Sequence, residues 1–335
     1  MDTRNVSLDL MEFVEQNILP RYNDFDRAHN LSHANHVIKK SLALAMSTGA
    51  DINMCYVIAA YHDLGLEGPR AIHHITSGKI LLADRRLGRW FSEEQLKIMK
   101  EACRISAGAL QLIGKAIEPG VTTAELDRLA EEYIRKQGAE PNFKNYEGYP
   151  ATACISVNNQ VIHGIPSTKR RLHAGDIVSV DLGAKYEGYH GDNAATFACG
   201  DVSEEAKRLM DATREALYEG IAAARAGSRI GDIGHAVQQY VEARGYSVVR
   251  QYVGHGVGTH LHEAPEVPNF GTPGRGIRLL PGMTIAIEPM VNAGKPDVKV
   301  EPDGWTVLTK DGSLSAHFEH TIAITPDGPA IMTLA

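Results

Sequence analysis

Over the first 95 or so residues, apolar positions recur at the three- and four-residue spacing of helices, and no stretch alternates as a strand would. The spacing predicts helices over residues 8–18 (stopped by Pro20), 33–46 (stopped by Gly49), 52–64 and 75–87. Beyond residue 95 the periods mix. Residues 93–117 read as one long helix ended by Pro119-Gly120, and Thr122 or Thr123 is placed to cap a second over 124–138. Residues 151–157 and 176–186 are β-branched or alternate, with 188–198 as a hairpin partner. Helical spacing returns at 203–224 and 231–244. Strand-like pieces at 247–250, 283–289, 298–303, 304–310 and 317–325 fill the rest.

The second part repeats itself. PGVTTAELDRLAEEYIRKQG and AGSRIGDIGHAVQQYVEARG stand 107 residues apart, with Gly120, Leu126, Tyr133 and Gly138 matching Gly227, Ile233, Tyr240 and Gly245. Each copy is a helix pair feeding a strand. Two such halves predict an α+β domain of approximate two-fold symmetry with a cleft where they meet. The predicted division is a helical segment over 1–95 and an α+β domain over 96–335.

Composition narrows the function. The chain of 335 residues carries 34 Lys+Arg against 41 Asp+Glu, a net charge of −7, which argues against nucleic acid as the main ligand. Hydrophobic residues make up 43%, enough for a large core, and no apolar run reaches the length of a membrane span. Asp2 and Asp9 stand where a signal peptide would need a basic and then an apolar stretch. The four cysteines form no C-x-x-C pair, so a thiolate zinc ribbon is excluded and a disulfide framework is not expected. A cytoplasmic protein is the expectation.

Five ionisable residues interrupt or end apolar strands: Asp181 after IVSV, Asp192 in YHGDNAATF, His255 in GHGVG, Glu288 after MTIAI and Glu319 in HFEHTIAI. Buried carboxylates cost several kcal/mol each unless a cation compensates them. Four carboxylates and one imidazole together form a ligand set for two divalent ions. The oxygen-rich donors point to Mn, Fe, Co or Zn rather than a structural zinc site. Paired metals polarise a carbonyl and hold a bridging hydroxide at neutral pH, which is hydrolysis chemistry. His163 in VIHGIP and His262 in HLHEAP are placed to donate hydrogen bonds to an amide or a developing oxyanion.

These residues lie in motifs by which residues 96–335 resemble the type I methionine aminopeptidases: NYEGYPATACISVNNQVIHGIP, GDIVSVDLGAKYEGYHGDNAATF, YVGHGVGTHLHEAP, MTIAIEPM and SAHFEHTIAIT, in family order. The resemblance implies the pseudo-two-fold pita-bread fold and removal of an N-terminal methionine that precedes a small residue. It further implies that Asp181 chelates one metal, His255 and Glu288 hold the other, and Asp192 and Glu319 bridge both. By the same resemblance Glu288 doubles as general base or proton shuttle, His163 contacts the substrate near the scissile amide, and His262 stabilises the carbonyl oxygen. Phe143, Tyr146, Tyr149, Cys154, Leu261 and Trp305 match the methionine pocket. Phe143 replaces a common cysteine and Leu261 a common aromatic, changes that bear on pocket size. Asn158 and Ser315 match positions that bind a monovalent cation (Na or K). The implied partners are peptide and nascent-protein N-termini, with the ribosome as a further partner, and no membrane. The Xaa-Pro peptidases of the same fold are the alternative.

Residues 1–95 resemble the opening of an HD-domain phosphohydrolase, through His33 in AHNLSHANHVI, His62-Asp63 in CYVIAAYHDLG, and His73-His74. The family pattern ends on a downstream aspartate that finds no match here, so the expectation is a truncated segment with a vestigial metal site at His33, His62 and Asp63. Phosphohydrolase activity from this segment is the second alternative.

Overall fold

The computed structural model describes residues 6–25, 29–48, 52–64, 77 and 93–334. The predicted helix over 75–87 and the pair His73-His74 lie outside them, Ser77 excepted. The chain divides into two compact units, Met1–Gln95 and Leu96–Ala335.

In the first unit the described elements are helices Leu8–Asn17, Leu31–Thr48 and Ile52–Tyr61 and a 3-10 turn Leu19–Asp24 that carries Pro20 near its start. Leu10, Val14, Ile18 and Tyr22 recur every fourth residue and are fully buried against Ile38, Leu42 and Tyr61. Asn30 caps the second helix, its Oδ1 accepting from the Ser32 (2.9 Å) and His33 (3.2 Å) amides. The third helix ends three residues short of the predicted 64, so His62 and Asp63 stand in the turn that follows it.

The second unit is built on a nine-stranded, mainly antiparallel sheet. Helices Glu93–Ala116 and Thr123–Lys136 serve its first half, Glu204–Ala223 and Ile230–Glu242 its second. Thr122 caps the helix Thr123–Lys136 in a capping box with Glu125. The 107-residue repeat is visible in small details. Gly120 and Gly227 take the same left-handed turn (φ 99° and 93°). Arg171 and Arg278, 107 apart, each donate from Nη1 to the carbonyl of Gly120 and Gly227 respectively. Isolated bridges Thr122–Arg171 and Arg229–Arg278 complete the correspondence.

Two strands at the sheet centre, Ile177–Tyr186 and Tyr189–Ala198, form the predicted hairpin. Val178, Val180, Leu182 and Ala184 bury against the first-half helices, so the two-residue period turns Asp181 to the opposite face. Gly191 in the partner strand lies so close to the long helix that a Cβ would sit 2.5 Å from the Cys103 backbone nitrogen. Predicted strands 151–157, 247–250, 298–303 and 304–310 pair only over Ala153–Val157, Ser247–Val248, Val298–Val300 and Val307–Thr309, and two more divide. Residues 283–289 form a strand only over Thr284–Ile287, after which Pro289, with no N–H to pair, starts a new piece, Met290–Asn292, in another sheet. Residues 317–325 divide at Phe318: Ser315–His317 pairs with Met290–Asn292, and Glu319–Thr325 joins the large sheet. Among the described residues no helix is long and apolar enough to cross a membrane.

Candidate active site

Strand register assembles the carboxylates. Asp181 pairs with Ala194 on one side of the hairpin, and Glu319 pairs with Ala194 on the other. Directly opposed residues share a face, and Asp192, two positions before Ala194, shares it too. Three carboxylates thus surround a single alanine methyl, which leaves the space between them open. His320 pairs with Ile287, bringing Glu288 alongside Glu319 at the points where both strands change sheets. His255 comes from Gly254–Gly256, whose glycines let the neighbouring carbonyls of Ala286 and Ala264 approach to 2.3 and 2.4 Å of where a Cβ would be.

One donor atom each from Asp192, His255 and Glu319 lies within 4.8 Å of the others. His255 Nε2 is 3.9 Å from Asp192 Oδ2 and 3.7 Å from Glu288 Oε1. Asp181 Oδ1, Asp192 Oδ1 and Glu319 Oε1 are buried without a hydrogen-bond partner among the described residues. Burial pushes all four carboxyls up, Glu288 to about 8. The neighbouring carboxylates add to this at Asp181, Asp192 and Glu319. Burial, then the nearby His262, holds the His255 imidazole down at about 4, against the bond it makes to the Gly256 carbonyl (Nδ1 to O, 2.9 Å). That bond makes Nδ1 the donor and leaves a lone pair on Nε2, the state a metal ligand needs. Converging oxygens with no donors among the described residues, beside an imidazole of this tautomer, fit divalent cations.

The walls of this cleft, of about 190 Å³, hold every residue predicted for the pocket and the two further histidines. Phe143, Tyr149, Cys154 and Leu261 are buried together, with Tyr146 and Trp305 packed on them, and Tyr149 meets Trp305 edge-on at 5.2 Å. The Tyr149 hydroxyl is committed to the Gly164 (3.0 Å) and Ala153 (3.1 Å) carbonyls, which anchors that wall. His262 stands at the rim, Nδ1 2.8 Å from the Tyr146 hydroxyl, its ring 4.3 Å from that of His255. His163 takes φ 57°, and burial, then His317 and His262, lower its imidazole to about 4. Two residues of the site are not evident from the sequence. Tyr252 packs edge-on against His163 at 5.7 Å. His317 is buried with Nε2 3.4 Å from Glu288 Oε2. Its place two residues before Glu319 in SAHFEHT is the one signal that could have marked it.

The first unit holds a second cluster. His33 Nε2, His62 Nε2 and Asp63 Oδ2 lie 3.1–3.3 Å from one another. Asn158 and Ser315 are joined in the second unit by a bond from the Ser315 amide to the Asn158 carbonyl (2.9 Å).

Residues 97–326 match the metallopeptidase family M24. The chain is 54% identical over 243 residues, 72% of its length and 97% of the relative's, to a methionine aminopeptidase of Clostridium acetobutylicum. The crystal structure of a methionine aminopeptidase from Thermotoga maritima shares a TM-score of 0.72 at 47% identity, over 73% of this chain and 98% of that one. A Xaa-Pro dipeptidase from Bacillus anthracis aligns less closely, at a TM-score of 0.59 and 26% identity, over 73% of this chain and 61% of its own.

Proposed function

The chain belongs to metallopeptidase family M24, and we propose that the cleft around Asp192 is where it acts, with Asp181, Asp192, His255, Glu288 and Glu319 holding two divalent cations. The enzyme is a metal-dependent hydrolase, a methionyl aminopeptidase that removes N-terminal methionine. The observation that carries the site assignment is the convergence of Asp192, His255 and Glu319 within 4.8 Å beside three buried, donorless carboxylate oxygens. By the family resemblance Asp181 would hold one cation, His255 and Glu288 the other, and Asp192 and Glu319 would contribute to both. When bound, the cations supply Lewis-acid polarisation and lower the pKa of water.

The chain's own groups do the rest. The apolar pocket of Phe143, Tyr146, Tyr149, Cys154, Leu261 and Trp305 takes the flexible thioether side chain, placing the first peptide bond over the carboxylates. Glu288 accepts a proton from the attacking water and returns it to the departing amine. His262, with Nδ1 engaged by Tyr146, presents Nε2 to the carbonyl oxygen as it becomes tetrahedral, and His163 holds the substrate beside the amide. A small second residue suits so closed a cleft. Co, Mn, Fe and Zn are the candidate metals, and the joined backbone at Asn158 and Ser315 is the candidate seat of one Na or K ion. The substrates are nascent-protein and peptide N-termini, encountered in the cytoplasm, at the ribosome among other places. Hydrolysis of Met-Ala-Ser across these metals, absent in Asp181→Ala, is the expected result. Preference for Xaa-Pro peptides would overturn it in favour of the sister activity.

A second reading concerns the first unit, the HD-like segment. Its His62 Nδ1 is 2.6 Å from the Ala59 carbonyl, so Nδ1 donates and Nε2 carries a lone pair aimed at His33 Nε2 and Asp63 Oδ2. We propose that these three groups bind one divalent cation. Without a downstream aspartate in the sequence pattern, no release of phosphate from nucleotides is expected. Release lost in His62→Ala but kept in Asp181→Ala would establish the phosphohydrolase instead.

A further inference from the structure

The Glu288 carboxylate stands between two imidazoles, one for each oxygen: His255 Nε2 is 3.7 Å from Oε1, and His317 Nε2 is 3.4 Å from Oε2. Only the first belongs to the donor set. His317 is 1% exposed, and neither of its ring nitrogens has a hydrogen-bond partner among the described residues. A buried polar group is seldom left so. The backbone beneath it is held at both ends by one hydroxyl. Thr196 Oγ1 accepts from the His317 amide (2.9 Å) and donates to the His317 carbonyl (2.9 Å), and is itself bonded to Ser179 Oγ (2.8 Å). The register Met290–His317 places the ring beside the residue two positions after Glu288. The strand that changes sheets at Pro289 and the strand that changes sheets at Phe318 therefore meet at this pair.

We infer that His317 is a positioning residue for Glu288, its Nε2–H donating to Oε2 and so turning Oε1 toward the cation shared with His255. Neither nitrogen of this ring is engaged elsewhere among the described residues, so the contact with Oε2 selects the tautomer that carries its proton on Nε2. At 3.4 Å the contact is longer than a formed hydrogen bond. It closes when a cation draws Oε1 and rotates the carboxylate. A group that orients a ligating carboxylate is worth about 10–100-fold in metal affinity. The inference rests on Glu288 being a ligand, as proposed above.

The test exploits the shapes of two amides. Glutamine places its amide nitrogen where imidazole Nε2 stands, whereas asparagine reaches only the position of Nδ1. Cobalt(II) titration of the full chain, followed calorimetrically, is expected to give a Kd weakened about 10–100-fold in His317→Asn and His317→Leu. His317→Gln should stay within several-fold of the parent. With Met-Ala-Ser at saturating cobalt, kcat should fall in the first two variants with KM little changed. Wild-type cobalt affinity in both His317→Asn and His317→Leu would overturn the inference, as would a change in KM alone, which would make the ring a substrate contact. Equal losses in His317→Gln and His317→Asn, both folded by circular dichroism, would reduce the ring to packing. Glu288→Gln separates the two layers of the argument: unchanged cobalt binding there would sink Glu288 as a ligand, whatever His317 does.

Discussion

The two donor clusters of this chain differ in how much water they keep. At His33, His62 and Asp63 the side chains are 37%, 23% and 6% exposed. Two imidazoles can share one carboxylate there at little electrostatic cost. At Asp181, Asp192, Glu288 and Glu319 four carboxylates face one another in a closed cleft, with a single imidazole among the predicted ligands. Every one of them is driven toward its protonated form. The first arrangement stays partly open to water. The second calls for cations if its carboxyls are to stay ionised, because no Lys or Arg is among the described residues that line the cleft. Chemistry belongs with the second, where burial also strengthens every interaction with a developing charge.

The contrast can be broken most sharply at Glu288. On the roles proposed for it, replacing it with alanine would remove base and ligand together and should lower kcat on Met-Ala-Ser by at least about 10³-fold. Full activity in a steady-state assay would show that the cleft has been misassigned. His163→Ala and His262→Ala leave the cations in place and should cost less, about 10²–10³-fold in kcat/KM. If either equalled Glu288→Ala, the division between cation-holding and substrate-holding residues would fail.

Acidification offers a gentler probe. Burial lowers His163, His190 and His320 to about 4. Unfolding returns them to about 6.5, so between these values the unfolded chain takes up protons that the folded chain does not. The stability these rings contribute is therefore lost as pH falls from about 6.5 to about 4, while the raised cleft carboxyls act in the opposite sense. The Tm deficit of His190→Asn and His320→Asn against the parent, followed by calorimetry, should accordingly shrink over that interval. A flat profile would mean these rings are more open to water than their packing implies. The smallest effect belongs to the other cluster. His33→Ala and His62→Ala should leave peptide hydrolysis within about two-fold of the parent, as expected of residues that do not line the proposed catalytic cleft. Each should remove one bound zinc per chain in a variant whose cleft ligands are already replaced. Loss of peptidase activity would tie the two units together functionally.

Much of the fold and of the site is legible in the sequence alone. The alternation in IVSVD puts Asp181 on the face opposite the apolar residues, because a strand's period is two. The 107-residue repeat announces the paired halves, and Thr122 with Glu125 announces a capped helix. What is not legible there follows from events outside any local window. The stretch MTIAIEPM looks like one strand, yet it serves two sheets because Pro289 cannot pair. HFEHTIAIT likewise divides at Phe318. His317 reads as an ordinary strand residue because its meaning depends on Glu288, which is distant in sequence.

Composition and periodicity by themselves marked which donors this protein owns, and the resemblance of their motifs to a family implied the fold and the activity. Tertiary structure decided where they meet. Asp181 and Glu319 flank Ala194 only because strands remote in sequence pair in one register, and that register follows from packing whole apolar faces against helices. Which oxygens lack donors, and which imidazole nitrogen carries its proton, likewise depends on neighbours brought from far along the chain, and a local pattern holds no record of them.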